Sequence, residues 1–187
     1  MNKITLRWKG PFSLLPLVAR PEIYSAPDSG VPGVYLWAIQ QDKTYLVNYV
    51  GIAAYNVASR QDDHMRLYLS GKYTIYDPHE FAQARKVVIF DPREGLSAFL
   101  SRYDELSAAL LKHVGCIHLF FAPIASEKVM LERIESSIIE ALKGAGGRVE
   151  NFLDNFRISR WVPEEQRISV AVAGSPSFQG LPHELQV

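Results

Sequence analysis

Glu135 sits where a carboxylate is expensive. In the segment 127–143, Leu131, Ile134, Ile138, Ile139 and Leu142 recur at helical spacing and define a face that must be buried. Glu132 and Glu140 have polar neighbours three and four residues away and are expected to face water. Glu135 has Leu131, Ile138, Ile139 and Leu142 at those positions, which puts it inside the apolar face. A carboxylate there costs free energy unless a cation or a metal ion pairs with it. Glu135 is therefore a candidate functional carboxylate, and an edge glutamate paired with one arginine is the structural alternative.

Two further groups could do chemistry. Arg60 and His64 are spaced i, i+4, so on a helix they point the same way. The planar fork of an arginine suits two phosphate oxygens at once, although such a pair is more often solvated surface. Arg66 and Lys72 read as surface or as positioning charges for a phosphate. The tripeptides Gly33-Val34-Tyr35 and Tyr49-Val50-Gly51 each set a phenol near a glycine. Alternation puts Tyr35, Trp37 and Ile39 on one face of a strand and Tyr45, Val47, Tyr49 and Gly51 on one face of the next. If hairpin pairing brings these faces together, Tyr35 and Tyr49 approach each other. Tyrosine is also a common strand residue, so packing alone could explain either.

The elements that must hold these groups can be read from periodicity and breakers. Strands are expected at 33–40 and 44–51, joined at Gln41-Asp42-Lys43, and a helix from the Asn56 cap to Leu69, closed by Gly71. Residues 1–9 alternate as a strand, and 11–32 read as irregular and proline-bearing. A strand at 86–90, one helix carrying the stripe Leu96 to Leu111, a strand at 116–122 and a Ser126-capped helix at 127–143 follow. A last strand is expected at 167–172. The fold class is α/β (α+β): a small, mainly antiparallel sheet flanked by helices. At 187 residues one domain is expected.

Composition narrows the setting. The 20 basic and 20 acidic residues cancel, so any polyanion must be held by a local patch or a partner. No apolar run is long enough for a membrane span. The N-terminus lacks the apolar stretch of a signal peptide. The one cysteine, Cys116, excludes an internal disulfide and is expected as a buried hydrophobe. A reducing cytoplasm is the expected location.

Taken in order, these positions resemble the GIY-YIG nuclease family. Gly33-Val34-Tyr35 stands for the first tripeptide and Tyr49-Val50-Gly51 for the second, with Val in place of Ile. Arg60 falls where the family has an arginine on the next helix, and His64 where some members carry a histidine one turn on. Glu135-Ser136-Ser137-Ile138-Ile139 resembles the context of the family's metal-binding glutamate. Asn151 is the choice for a later family asparagine, with Asn155 as fallback. The resemblance covers about 30–155, with 73–112 as an insertion, 1–29 as an N-terminal extension and 156–187 as a C-terminal one. Ile52-Ala53-Ala54 departs from the polar residue many members have after the second tripeptide, which makes this stretch less basic.

The resemblance implies a GIY-YIG-like fold and a metal-dependent endonuclease acting on nucleic acid, DNA in the first place. Glu135 would hold Mg²⁺ or Mn²⁺, Arg60 would face the phosphate, and Tyr35 or Tyr49 would position or deprotonate water. His64 would relay the proton, and Asn151 would keep the glutamate helix in register. An inactive module of this fold that binds nucleic acid or a protein partner is the first alternative. An unrelated α/β protein is the second; it requires Tyr35 far from Tyr49 and Glu135 paired with an arginine.

Overall fold

Residues 33–39 are buried without exception, as a strand must be when both faces of its sheet are covered. The computed structural model describes residues 3–16, 20–155, 169–173 and 176–186. In chain order the elements are β1 (Lys3–Arg7), β2 (Lys9–Phe12), β3 (Gly33–Gln41), β4 (Thr44–Ala53), α1 (Val57–Leu69), β5 (Ile75–Tyr76), α2 (Pro78–Ala82) and β6 (Val88–Phe90). They continue with α3 (Leu96–Ser101), α4 (Tyr103–Gly115), β7 (His118–Pro123), α5 (Lys128–Gly144), α6 (Gly147–Phe152), β8 (Ser169–Ala173) and β9 (Glu184–Gln186). The central sheet is antiparallel throughout, in the order β2-β7-β3-β4. The expected class, a mainly antiparallel sheet flanked by helices, is what the chain forms.

Each face of this sheet has its own core. Tyr35, Trp37 and Ile39 pack with Val57, Met65 and Tyr68 of α1 and with Ile75, Phe81, Phe90, Phe99, Leu106 and Leu110. The stretch 73–112 is thus much of one core rather than an appendage. On the other face Val34, Leu36 and Val50 meet Leu131, Ile134, Ile138, Ile139 and Leu142 of α5. Burying an aliphatic side chain of this size contributes about 1.5–3 kcal/mol, so α5 is fixed by its stripe. A second sheet, β1-β8-β9, closes this core with Leu6, Val170 and Leu185. Helices α1 and α5 therefore lie on opposite faces, and both reach the edge strand β4.

A bulge decides which tyrosines face which core. Trp37 pairs with Tyr49 but Ala38 pairs with Val47, which leaves Asn48 as the extra residue on β4. Tyr49 consequently joins Tyr35 and Trp37, with ring centroids at 6.1 and 5.4 Å. Tyr45 turns to the opposite core, against Phe120 and Phe178, so the expected shared face of Tyr45, Val47 and Tyr49 is corrected. The glycines of both tripeptides have steric reasons. A Cβ at Gly51 would overlap Cζ and Oη of Tyr35, and one at Gly33 would overlap the Ala122 carbonyl oxygen.

Several boundaries differ from expectation. The N-terminal strand splits into β1 and β2, which join different sheets. The stripe Leu96 to Leu111 is broken at Arg102 into α3 and α4. Asn56 caps α1 as expected, accepting from the Ser59 amide at 2.9 Å, whereas α5 begins after Glu127 with no side-chain cap, and Ser126 plays no such part. Arg167 and Ile168 of the expected last strand lie outside the described residues. No helix among the described residues is long and apolar enough to cross a membrane.

Gly51→Ala is expected to cost about 1–3 kcal/mol, because the buried Tyr35 ring must shift to admit a methyl group. Urea unfolding of the variant checks this, and an unchanged midpoint would refute the steric account.

Candidate active site

Helix α1 places two of its residues by spacing alone. With α1 packed on β3 through Val57 and Tyr68, the i, i+4 pair Arg60 and His64 turns toward Tyr35. His64 is 2 % exposed, and its Nε2 lies 2.5 Å from the Tyr35 hydroxyl. Its Nδ1 lies 2.9 Å from the Tyr73 hydroxyl, on the chain just beyond α1. Burial, and secondarily the Arg60 charge, lowers the His64 pKa to about 3, so the ring is neutral. A neutral imidazole donates from one nitrogen and accepts at the other, so His64 joins a buried phenol to a half-buried one. Gln61 steadies the neighbourhood by accepting from Trp37 Nε1 at 2.8 Å.

The charged groups meet around these phenols. Burial acts to lower the Arg60 pKa, but the surrounding tyrosines, Tyr35 first, outweigh it and the guanidinium stays charged. Burial pushes the Tyr35 pKa well above its ordinary value; Tyr49 adds to this and Arg60 opposes it through charge and hydrogen bonding. Tyr49 is also raised, by burial and then by Glu135. Glu135 is half-buried as its spacing implied. Burial, then Glu132, raises it to about 7 against the opposing pull of Arg60. Among the described residues it forms no ion pair. Glu132 is only part-exposed, held by Lys128 at 3.4 Å, rather than turned wholly to water, while Glu140 is exposed as expected.

The structure thus draws Tyr35, Tyr49, Arg60, His64 and Glu135 into one electrostatic neighbourhood at the β4 edge. It does not bring Asn151 there: that side chain is exposed on α6. Asn155, the fallback, instead reaches the backbone of β4. Its Oδ1 accepts from the Val50 amide and its Nδ2 donates to the Val50 carbonyl, both at 2.8 Å. This clamps the chain after α6 to the residue between Tyr49 and Gly51. Tyr73 and Asn155 are the site residues that sequence reasoning missed or ranked second. A polar residue ending the run after α6 was the available signal for Asn155; Tyr73 had none.

Other expectations resolve simply. Arg66 is exposed and paired with Asp62 at 2.7 Å, and Lys72 is exposed past the end of α1. Cys116 is half-buried rather than fully buried; its thiol lies 3.3 Å from the Lys112 carbonyl. No cluster of three or more His, Cys, Asp or Glu among the described residues could cage a metal. Glu135, a single half-buried carboxylate, could serve only a hydrated hard cation, which takes one or two carboxylates and completes its shell with water and phosphate oxygens.

Asn155→Ala is expected to cost about 1–3 kcal/mol, since it leaves both backbone groups of Val50 without partners. Asn151→Ala should stay within about 0.5 kcal/mol of the parent. Chemical denaturation of the two variants side by side distinguishes them, and the reverse ranking would restore Asn151.

No family model matches the chain, and neither a curated protein nor a solved structure matches it.

Proposed function

We propose that the chain is a metal-dependent endonuclease of GIY-YIG type that hydrolyses phosphodiester bonds in nucleic acid, DNA in the first instance. The observation that carries this reading is the meeting of Tyr35, Tyr49, His64, Arg60 and Glu135 at one strand edge, from two strands and two helices on opposite faces. The unrelated-protein alternative required Tyr35 far from Tyr49 and Glu135 paired with an arginine. Neither condition holds among the described residues.

Arg60 is the fixed positive charge, and it would take the non-bridging oxygens of the phosphate, where charge grows during attack. Mg²⁺ or Mn²⁺ held by Glu135 would supply polarisation of a phosphoryl oxygen and stabilisation of the leaving alkoxide. Tyr35 is too buried to rest as a phenolate. It works instead as a relay: half-buried Tyr49 takes a proton from the attacking water and gives its own to Tyr35, which passes its proton to His64 Nε2. That requires the tautomer in which Nε2 accepts and Nδ1–H donates to Tyr73, whose half-buried hydroxyl leads to solvent. A phosphate seated on Arg60 offsets one of the two causes that hold His64 neutral, so substrate binding itself raises its proton affinity. Tyr49 orders the water, and Asn155 keeps Tyr49 in place through Val50. The lone thiol of Cys116 suits a reducing, cytoplasmic location.

A binding-only module of the same fold is the competing reading, and the zero formal net charge favours it. Cleavage of plasmid and short duplex DNA with Mg²⁺ and then Mn²⁺ separates the two. Parent protein should nick DNA only with metal, and folded Arg60→Ala and Glu135→Ala should each lose about a hundredfold or more. Cutting that survives Glu135→Ala would sink the assignment.

Glu135 also makes a prediction independent of cleavage. It titrates near 7 in the folded chain and near 4.5 when unfolded, so between these values the folded chain holds the extra proton. Stability contributed by the protonated form is therefore lost as pH rises through that window, and the loss is complete above it. In chelator, Glu135→Gln should raise the melting temperature at about pH 8 and change it little at about pH 4.5. Mg²⁺ should then raise the parent's melting temperature at the higher pH and leave the variant's unchanged. A variant effect equal at both pH values would contradict the burial of this carboxylate.

A further inference from the structure

Beside the proton relay lies a cavity of about 300 Å³ that the proposed hydrolysis does not use. It shares Tyr49, His64 and Tyr73 with the site and then runs past them. Its remaining walls are in part aromatic, Trp37, Tyr68 and Tyr76, and in part polar, Asn48, Thr74 and Asp154, with the Tyr76 hydroxyl on Asp154. The β4 bulge creates this polar part, because the extra residue Asn48 is turned into the same space as Tyr49.

The polar end is built rather than incidental. Asp154 is held by Lys86 Nζ at 2.6 Å and by Asn48 Nδ2 and the Tyr76 hydroxyl, each at 3.3 Å, while its amide donates to the Asn48 carbonyl at 2.7 Å. Lys86 is committed to Asp154 and the Leu153 carbonyl, so it offers no free cation to a ligand. Tyr68 differs from the rest. It is 6 % exposed, lines the cavity, and its hydroxyl has no hydrogen-bond partner among the described residues. Its oxygen is not sealed from solvent, so it opens on the cavity as a donor that an entering ligand can meet.

These features select the ligand. The volume lies at the small end of ligand sites and suits one planar ring system. The polar end has no free cation for a phosphate, because Lys86 is committed to Asp154, whereas Arg60 attracts one, so a nucleotide would enter base first and leave its phosphate at Arg60. We propose that the cavity receives the base of a nucleotide at the cleavage position, turned out of its stack, with its exocyclic or ring donors meeting the Asn48–Asp154 end. Enzymes that take a base out of the stack hold it in this manner, between aromatic side chains and a few polar groups. The inference rests on the hydrolase reading for the position of the phosphate, but its test needs no cleavage.

The full chain is titrated, in chelator, into the 5′-monophosphate of 2-aminopurine deoxyriboside, whose emission falls when its ring stacks on an aromatic side chain. Saturable quenching is expected, reversed by deoxyadenosine monophosphate and unaffected by the same concentration of deoxyribose 5-phosphate, which lacks a base. Thr74→Phe, which fills the cavity and leaves Arg60 and Glu135 alone, should weaken binding at least about tenfold. Tyr68→Phe, which removes only the unpaired hydroxyl, should weaken it severalfold and serves if Thr74→Phe does not fold. Absence of saturable quenching, equal displacement by deoxyribose 5-phosphate, or indifference to the folded variants would overturn the proposal. Quenching without cleavage of any DNA would uphold the cavity and sink the hydrolase; cleavage without quenching would do the reverse.

Discussion

The ring of Tyr35 occupies the space that a side chain at Gly51 would need, and from there its hydroxyl lies 2.5 Å from His64 Nε2. That contact ties three elements together. It explains the glycine of the second tripeptide sterically, aligns β3 with β4, and fixes the face of α1 that must turn inward. Arg60 follows because it stands one turn before His64. Tyr49 follows because the bulge at Asn48 returns it to the same face. Much of the site is thus determined by how one phenol is accommodated between two strands and a helix.

Burial shapes the charge state of the same groups. Tyr35, Tyr49 and Glu135 are all pushed toward their protonated forms, and His64 toward its neutral one. Arg60 alone keeps its charge, because phenol oxygens surround it. A site with one fixed cation and several neutral donors is suited to a ligand that brings negative charge and a metal ion with it. A cation at Glu135 would favour its ionised form, and an anion on Arg60 would relieve part of the repulsion that keeps the imidazole neutral. Such a ligand would offset the cost of burying these groups in the free chain.

How much of this was legible depended on whether the signal was local. Glu135 could be found from spacing alone, since the five aliphatics around it define the α5 face. The i, i+4 relation of Arg60 and His64 was equally local, and so was the Asn56 cap. The pairing of Tyr35 with Tyr49 was expected on an argument that counted Tyr45 on the same face, which the bulge at Asn48 overturns. A bulge depends on the partner strand and on Asp154, which lies far along the chain, so alternation could not reveal it. Asn151 and Asn155 differ by one helical turn, and only the end of α6 at Phe152 decides which one reaches β4. Tyr73 enters the site through the fold of the segment after α1, which carries no periodic signal.

Surface charge supports an arrangement in which recognition is local. Arg66 is paired with Asp62, Arg93 with Asp91, Arg85 with Glu80, Arg102 with Glu105 and Lys128 with Glu132. Each partner is a near neighbour in sequence, so these cations are neutralised where they stand and sum to no broad field. Arg60 has no such partner among the described residues. A polyanion approaching this surface would find little long-range attraction, and would meet the Arg60 guanidinium beside a half-buried carboxylate and an aromatic cavity. Any binding built on those groups would depend on fit at the β4 edge more than on the zero formal net charge.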